Sequence, residues 1–596
     1  MKYSFCNNMF YTLSKAMGHN KRLIPRILLY TVSAAGLSVL TVYFPKLILD
    51  EITGAREFSA LMWITAVFLP AGVLLSFLSN YLQNKTYSDF HEFRCLCLQE
   101  YQKKCFELGL EQVESSDFLN KLNMAKMCLY DNNKGFEGVL RKLFGLFGVL
   151  ITIGYYGIAL LRFQPFLFLL LLANTVIPYL LSYRSKKYEY SRQEELSYLS
   201  RRQGYTNGLM SDFAYGKEIR LYGMAGLLTN LSDGQQQEIQ EIWKKILGKR
   251  SMAGVANLLI AFCREGLVYL FLIAGVLGGK LSIGDFALYT GMFVSFSTLM
   301  AELIEGVSHI RAQSLMISDY RIFMDIPDEE EGAALSLDTE GGCSIAFEDV
   351  SFSYPGSGRK LFEHLNVQIG KGEKAAIVGM NGAGKSTFVK LLCGFYKPDE
   401  GRILINGTDI SQYSRASVLR LFSALFQEIS FFSMSIAENV ALCTKEQMDG
   451  RKLEECIRKA GMDEKIHSLE RGVDTTLTRK LEPEGVELSG GEYQKMGMAR
   501  TLYKNGAIFI LDEPTSALDP LAEEEIYSKF REMTEDRTSL FITHRLASTR
   551  FCDRILVFQD GGVAEDGTHE ELLERRGEYY RLYSLQASYY QEGAGV

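Results

Sequence analysis

"KAAIVGMNGAGKSTFVKLLCG", Lys374 to Gly394, runs from a compact apolar stretch through a glycine-rich loop into a helical pattern. The loop fits G-x-x-x-x-G-K-[ST] from Gly379 to Ser386. Strand, loop and helix in that order aim the first N–H groups of the helix at one point, which suits a phosphate. Nucleotide phosphates are expected against Gly379, Asn381, Gly382, Gly384 and Thr387, with Lys385 reaching the terminal ones and Ser386 available to Mg2+. Many unrelated machines carry such a loop. It points to ATP and leaves the task open.

A second apolar strand, "AIFILDEPTSALD", spans Ala507 to Asp519 and delivers Asp512 and then Glu513. Asp512 is placed to hold Mg2+, directly or through water. Glu513 is placed to polarise the water that attacks the terminal phosphate. "SLFITHRL" is another strand, ending in His544. A lone histidine is more often structural than catalytic, so its role needs support from another motif.

Working outward, 596 residues exceed what one core holds, and at least two domains are expected. A formal net charge of −7 argues against a nucleic-acid binder that relies on overall basicity. Eleven cysteines, scattered from Cys6 to Cys552 without a C-x-x-C pair, read as reduced thiols rather than a disulfide framework or zinc site. The first apolar run lacks the exit of a cleavable signal peptide.

Hydrophobicity is concentrated before about Ile310. A bilayer-spanning helix needs about 20 apolar residues. Six candidates are read: Ile27–Leu49, Ala60–Leu82, Leu140–Leu161, Phe163–Tyr183, Val255–Leu277 and Phe286–Ile304. Only "LRFQP" separates the third from the fourth, which makes a tight hairpin. Long polar helical stretches, Gln83–Glu137 and Arg184–Ala253, follow the second and fourth. Lys and Arg crowd those stretches and the N-terminus, which the positive-inside rule places in the cytoplasm with both chain ends. "NNMFYTLSKAM" reads as a helix on the membrane surface or as the start of the first span, the former being favoured.

Arg264, Glu265, Glu302 and Glu305 fall within or near the last two spans. Neighbours do not share a helix face, so Arg264 and Glu265 are expected to point apart, while Arg264 and Glu302 lie toward the same side and can meet. A polar cavity lining and a plain interhelix ion pair both fit, the ion pair being the more economical.

After the acidic stretch "IPDEEEGAALSLDTEGG" comes "ELSGGEYQK", Glu487 to Lys495. With this motif the soluble part resembles the nucleotide-binding domain of an ATP-binding-cassette (ABC) transporter from about Ser344 to Gln586. The resemblance implies that Ser489, Gly490 and Gly491 contact a nucleotide held by a second copy. It implies that Tyr354 stacks on adenine and that Gln427, in "ALFQEISFF", reaches Mg2+. Asp519 ends a loop that resembles the family's dimer contact, and His544 matches the histidine that touches the γ-phosphate. Six spans followed by this domain resemble half of an exporter-type (type IV) transporter. "VESSDFLNKLNMA" and "FAYGKEIRLYGM" sit where that fold places its coupling helices. One departure concerns "RKLEPEGVELSGG", where exporters commonly have a glycine–glutamate pair; Glu484 or Glu482 stands in.

The expected fold is therefore multidomain. An all-α six-helix transmembrane domain with long cytoplasmic extensions occupies 1–325, a linker 326–343, and an α/β P-loop domain 344–596. The resemblance implies an ATP-hydrolysing translocase in the bacterial plasma membrane that exports an amphipathic peptide or lipophilic compound. Its partner is a second half-transporter, with a homodimer favoured over a heterodimer. A flippase for lipid or lipid-linked saccharide, an importer on the same fold, and an ATP-gated channel or regulatory half remain alternatives.

Overall fold

The computed structural model describes residues 3–54, 56–113, 116–327, 342–479, 481–513, 534 and 537–592. It divides into two compact units: Met1–Lys103 with Asn120–Asp325, and Lys104–Leu119 with Ile326–Val596. The predicted linker lies mostly outside the described residues.

The first unit is helical. Its main helices are α1 (Phe5–His19), α2 (Leu23–Thr53), α3 (Phe58–Glu107), α4 (Gly135–Phe163), α5 (Pro165–Ser191), α6 (Ala225–Leu277) and α7 (Ile283–Met324). Five of them, α2, α3, α4, α6 and α7, are long and apolar enough to cross a membrane. The fourth predicted span falls on α5, many of whose side chains lie outside the described residues. Gln164 alone leaves helical geometry between α4 and α5, as the hairpin reading requires. None of the most apolar window of α3 is buried. That face of α3 is therefore free for lipid or another chain.

Helix α1 sets aside one of the two readings of the N-terminus, the start of the first span. It is separate from α2, and its face formed by Asn8, Thr12 and Ala16 is buried. Asn8 Nδ2 donates to the Ser314 carbonyl at 2.9 Å and to Ser318 Oγ at 2.8 Å. Ser314 lies ten residues past the sixth apolar stretch, about 15 Å along a helix. So α1 docks on the polar extension of α7. The decisive residue is Asn8, whose amide would be costly to bury without these acceptors.

Elsewhere in this unit, α2 and α7 are joined by Lys46–Asp285 and by Ser282 Oγ to Asp50 Oδ1 at 2.7 Å. The strongest polar feature is Glu137, whose side chain is 0% exposed. It accepts from Arg94 Nε at 2.7 Å and from Arg141 Nε at 2.9 Å, and Arg141 stacks over Tyr87 at 4.1 Å. This clamp ties α3 to α4.

A correction concerns Arg264. Its Nη2 donates to Glu265 Oε1 at 3.2 Å, although the two are sequence neighbours. A long guanidinium stem can curl round the helix, and in apolar surroundings the nearest carboxylate outweighs a tidy geometry. Glu302 and Glu305 are exposed on this chain.

The second unit is α/β. Strands β1 (Ile345–Phe352), β2 (Phe362–Ile369), β4 (Glu400–Ile405) and β5 (Thr408–Asp409) form an antiparallel sheet in the order β2-β1-β4-β5. A six-stranded sheet has the order β10-β9-β3-β8-β7-β6. Its members are β3 (Lys374–Gly379), β6 (Phe422–Leu425), β7 (Ile508–Asp512), β8 (Thr538–Ile542), β9 (Arg554–Gln559) and β10 (Gly562–Gly567). All its pairings are parallel except β9 with β10. The helix after the glycine loop, α8 (Lys385–Leu392), is held by Phe388, which stacks on Phe347 at 4.3 Å and meets the edge of Phe558 at 5.4 Å. Within this unit Arg415 Nη1 donates to the Leu108 carbonyl at 3.0 Å, fastening the segment after α3.

The Glu137 clamp gives the first prediction. Glu137→Gln leaves two guanidiniums around a neutral amide, and breaking such a buried pair costs about 3–5 kcal/mol. The variant should melt at clearly lower temperature in calorimetry of the purified chain, and wild-type melting would refute the clamp.

Candidate functional site

Strand order brings the site together. The parallel neighbours β3, β8, β7 and β6 end at one edge of their sheet, where ligands of open α/β sheets bind. From β3 emerges the glycine loop, from β8 Thr543 and His544, from β7 Asp512 and Glu513, and two residues past β6 comes Gln427. Register fixes the match: Asp512 pairs with Ile542, the last residue of β8.

Two positions of the loop would clash here without glycine. Gly384 has φ 103°, and a Cβ there would lie 2.6 Å from Phe362 Cε1. Gly379 has φ 151°, and a Cβ would meet the Phe558 carbonyl oxygen at 2.3 Å. The loop is therefore closed to side chains on its inner side while Asn381, Gly382 and Ser386 stay exposed.

The donors fit a nucleotide. No side chain caps α8, whereas the helices opening at Ser435, Ser489 and Thr568 each carry a full capping box. Its first N–H groups therefore remain available to an anion. Among the described residues, the buried Lys385 Nζ donates to the carbonyls of Gly379 at 2.8 Å and Met380 at 3.1 Å. Burial lowers its pKa, opposed by the charges of Glu513 and Asp512. A buried ammonium with carbonyls for company is completed by a phosphate. Ser386, Asp512 and Gln427 offer one hydroxyl, one carboxylate and one amide toward Mg2+. No group of three or more His, Cys, Asp or Glu is placed to hold a metal ion among the described residues, so phosphate oxygens would supply the rest.

Glu513 occupies the centre. Gln427 Nε2 donates to its Oε2 at 3.0 Å, and His544 Nδ1 lies 3.1 Å from its Oε1. Its backbone sits in the left-handed region at φ 50°, held by its N–H bond to the Ile542 carbonyl at 2.9 Å. Left-handed backbone at a bulky non-glycine residue is uncommon and stores strain. Here it turns the carboxylate sharply off the end of β7. Asp512 is buried, and desolvation first, then the neighbouring Glu513 charge, pushes its pKa up to about 6.

Tyr354 stands at the far side of α8. Its hydroxyl shares a 2.9 Å hydrogen bond with Thr387 Oγ1, and its ring meets Tyr396 edge-on at 5.3 Å. That leaves a half-buried aromatic face beside the glycine loop, as stacking on a base requires. Ser489 caps α9 (Gly490–Lys504) through a reciprocal bond pair with Glu492. Ser489 and Gly490 are exposed, and the signature makes no hydrogen bond to the glycine loop or Glu513 among the described residues. Asp519 lies outside the described residues. Glu484 pairs with Arg471 at 2.6 Å and Glu482 accepts from Thr476 Oγ1 at 2.9 Å, so both carboxylates are engaged within the unit.

One residue escaped the sequence reading. Arg500 on α9 donates to the carbonyls of Asn439 at 2.8 Å and Ser430 at 3.0 Å and stacks on Phe431 at 4.5 Å. It binds the segment that follows Gln427 to the helix that follows the signature. An arginine on the inner face of an otherwise apolar helix, "KMGMARTLY", was its only signal.

A family model described as ABC transporter matches residues 362–516. The chain is 28% identical over 564 residues to the subtilin transport ATP-binding protein SpaT of Bacillus subtilis, spanning 93% of this chain and 90% of that protein. It is 31% identical over 379 residues to the ATP-dependent lipid A-core flippase of Escherichia coli (strain K12), 62% of this chain and 63% of the flippase. A solved bacterial Atm1-family ABC exporter with ATP bound is similar at a TM-score of 0.76 and 23% identity, over 95% of this chain and 98% of that one, a likeness of fold.

Two predictions follow from the geometry. Gly384→Ala forces a Cβ against Phe362 at a strained φ, and nucleotide affinity by fluorescent-analogue titration should fall at least about tenfold, roughly 1.4 kcal/mol. For Asp512, the raised pKa means the native state binds more protons than the unfolded state between about 4 and about 6. Nucleotide-free stability should therefore fall as pH rises through that window. Asp512→Asn should melt higher than wild type at pH above 7, with the gain vanishing below about pH 4; equal melting at both ends would refute the burial penalty.

Proposed function

We propose, from the premise that this chain is a member of the ABC transporter family with a helical membrane part fused to an ATP-binding domain, that two copies export an amphipathic peptide by alternating access. The observation that carries the reading is the Glu513 carboxylate, held between Gln427 and His544 at 3.0 and 3.1 Å beside the buried Asp512. A regulatory, non-hydrolysing half would have no use for a carboxylate so oriented. The signature at Ser489 and Gly490 is exposed and makes no hydrogen bond to the glycine loop among the described residues, which supports a second copy facing it.

On this reading the α8 N–H groups and Lys385 bind the phosphates of ATP, and Tyr354 orients the base. Ser386, Gln427 and Asp512 would hold Mg2+, which would neutralise phosphate charge there. Glu513 accepts hydrogen bonding from the attacking water and His544 steadies the γ-phosphate. Gln427 senses the site and, through the segment pinned by Arg500, carries its state away from it. Closure of two such domains switches the spans between inward- and outward-facing, and hydrolysis resets them. The soluble domain, the polar extensions and both chain ends face the cytoplasm of a bacterial cell.

Similarity to a subtilin transporter over nearly the whole chain supports a peptide cargo. A lipid flippase is the second reading, favoured by the 31% identity to the lipid A-core flippase. The described membrane part offers Arg264 paired to Glu265 rather than a basic cluster for a phosphorylated lipid, which weighs toward the peptide.

The test is ATPase turnover of this chain alone in lipid nanodiscs, with and without cationic amphipathic peptides. Turnover is expected for wild type, stimulation by one of the peptides, and loss of at least about a hundredfold in Glu513→Gln. ATP binding without turnover by folded wild type would overturn the homodimer reading.

A further inference from the structure

Cys95, on α3 thirteen residues past the second apolar stretch, lies about 20 Å along the helix from it and is exposed. It is not alone. His91, one turn earlier and 55% exposed, places Nε2 3.7 Å from Cys95 Sγ. On the other side of the ring, Arg94 Nη2 lies 2.9 Å from His91 Nδ1. A guanidinium only donates, so Nδ1 must be the ring's lone-pair nitrogen, and in the neutral ring the proton sits on Nε2, aimed at the sulfur.

Arg94 cannot swing away. Its Nε is fixed on the fully buried Glu137 at 2.7 Å, its Nη1 on the Leu129 carbonyl at 2.7 Å, and its Nη2 also on Asn132 Oδ1 at 2.9 Å. Glu137, Arg94, His91 and Cys95 thus form a relay from a buried anchor to an accessible nucleophile. Two residues on, burial pushes the Cys97 thiol up to about 12, and that thiol is shut away from solvent. The other exposed cysteines, Cys6 and Cys263, have no histidine bonded to them among the described residues.

We propose that Cys95 is a thiol–disulfide exchange site for a low-molecular-weight disulfide, with His91 donating to its sulfur and Arg94 positioning His91. The Cys95 sulfur, its proton released to water, attacks one sulfur of the disulfide. The Cys95–sulfur bond forms as the original S–S bond breaks, and the departing thiolate takes a proton from water, so one disulfide and one thiol replace another pair. The adduct sits one turn from the clamp between α3 and α4, where it competes with His91 for its place.

The full chain in nanodiscs is treated with limiting dithiodipyridine, quenched in acid, and mapped by peptide mass spectrometry. Cys95 should react about tenfold faster than Cys6. His91→Phe should slow Cys95 to the Cys6 rate without changing Cys6, and His91→Gln, which keeps an N–H donor, should retain part of the advantage. Labelling of Cys97 and Cys128 reports any unfolding in His91→Phe, in which event His91→Gln and wild type decide. Cys95 reacting no faster than Cys6, or staying fast without His91, would overturn the proposal.

Discussion

Three parallel pairings, β3 with β8, β8 with β7 and β7 with β6, bring the glycine loop, Asp512, Glu513, His544 and Gln427 of the α/β unit to one edge. Because the strands run the same way, their carboxyl ends share one edge, and each loop that leaves them starts within reach of the same volume. A slip of one residue between β7 and β8 would turn Asp512 to the opposite face of the sheet. The near-continuous burial of β3, β7 and β8 resists such a slip, since every residue has a packed neighbour on both faces.

Charge then does what packing cannot. Lys385 and Asp512 are both buried, one cation and one acid, and the Lys385 ammonium rests on the Gly379 and Met380 carbonyls. Each is held away from its ordinary ionisation by desolvation. A magnesium–phosphate ligand would relieve both at once, giving binding a source of energy that simple contact area lacks. Glu513 completes the set under backbone strain, and residues kept in a sparsely populated backbone region tend to be those the chemistry needs.

Much of this was legible beforehand where local sequence decides. The glycine loop reads directly because loop, strand and helix are contiguous, and Asp512, Glu513 and His544 read from apolar strands that end in polar residues. Membrane helices read from length and apolarity alone. What stayed hidden depends on residues far apart in the chain. Glu137 meets Arg94 across forty-three positions, a pairing no spacing rule reaches. Asn8 finds Ser314 only after two helices fold together, across 306 positions of the chain. Arg264 was misplaced for a different reason: the rule that neighbours diverge describes Cβ directions, while a guanidinium acts five bonds further out. Arg500 looked like any helical arginine until its carbonyl partners came into view.

The central claim is that one chain type supplies a complete hydrolytic site at that strand edge. Vanadate trapping tests it most directly: the purified chain in nanodiscs is incubated with labelled ATP, Mg2+ and vanadate, washed, and the retained ADP counted. The account predicts ADP retained with slow release, in proportion to protein, and none when Mg2+ is withheld. ATP bound but no ADP trapped, in protein that is folded by its melting curve, would contradict it.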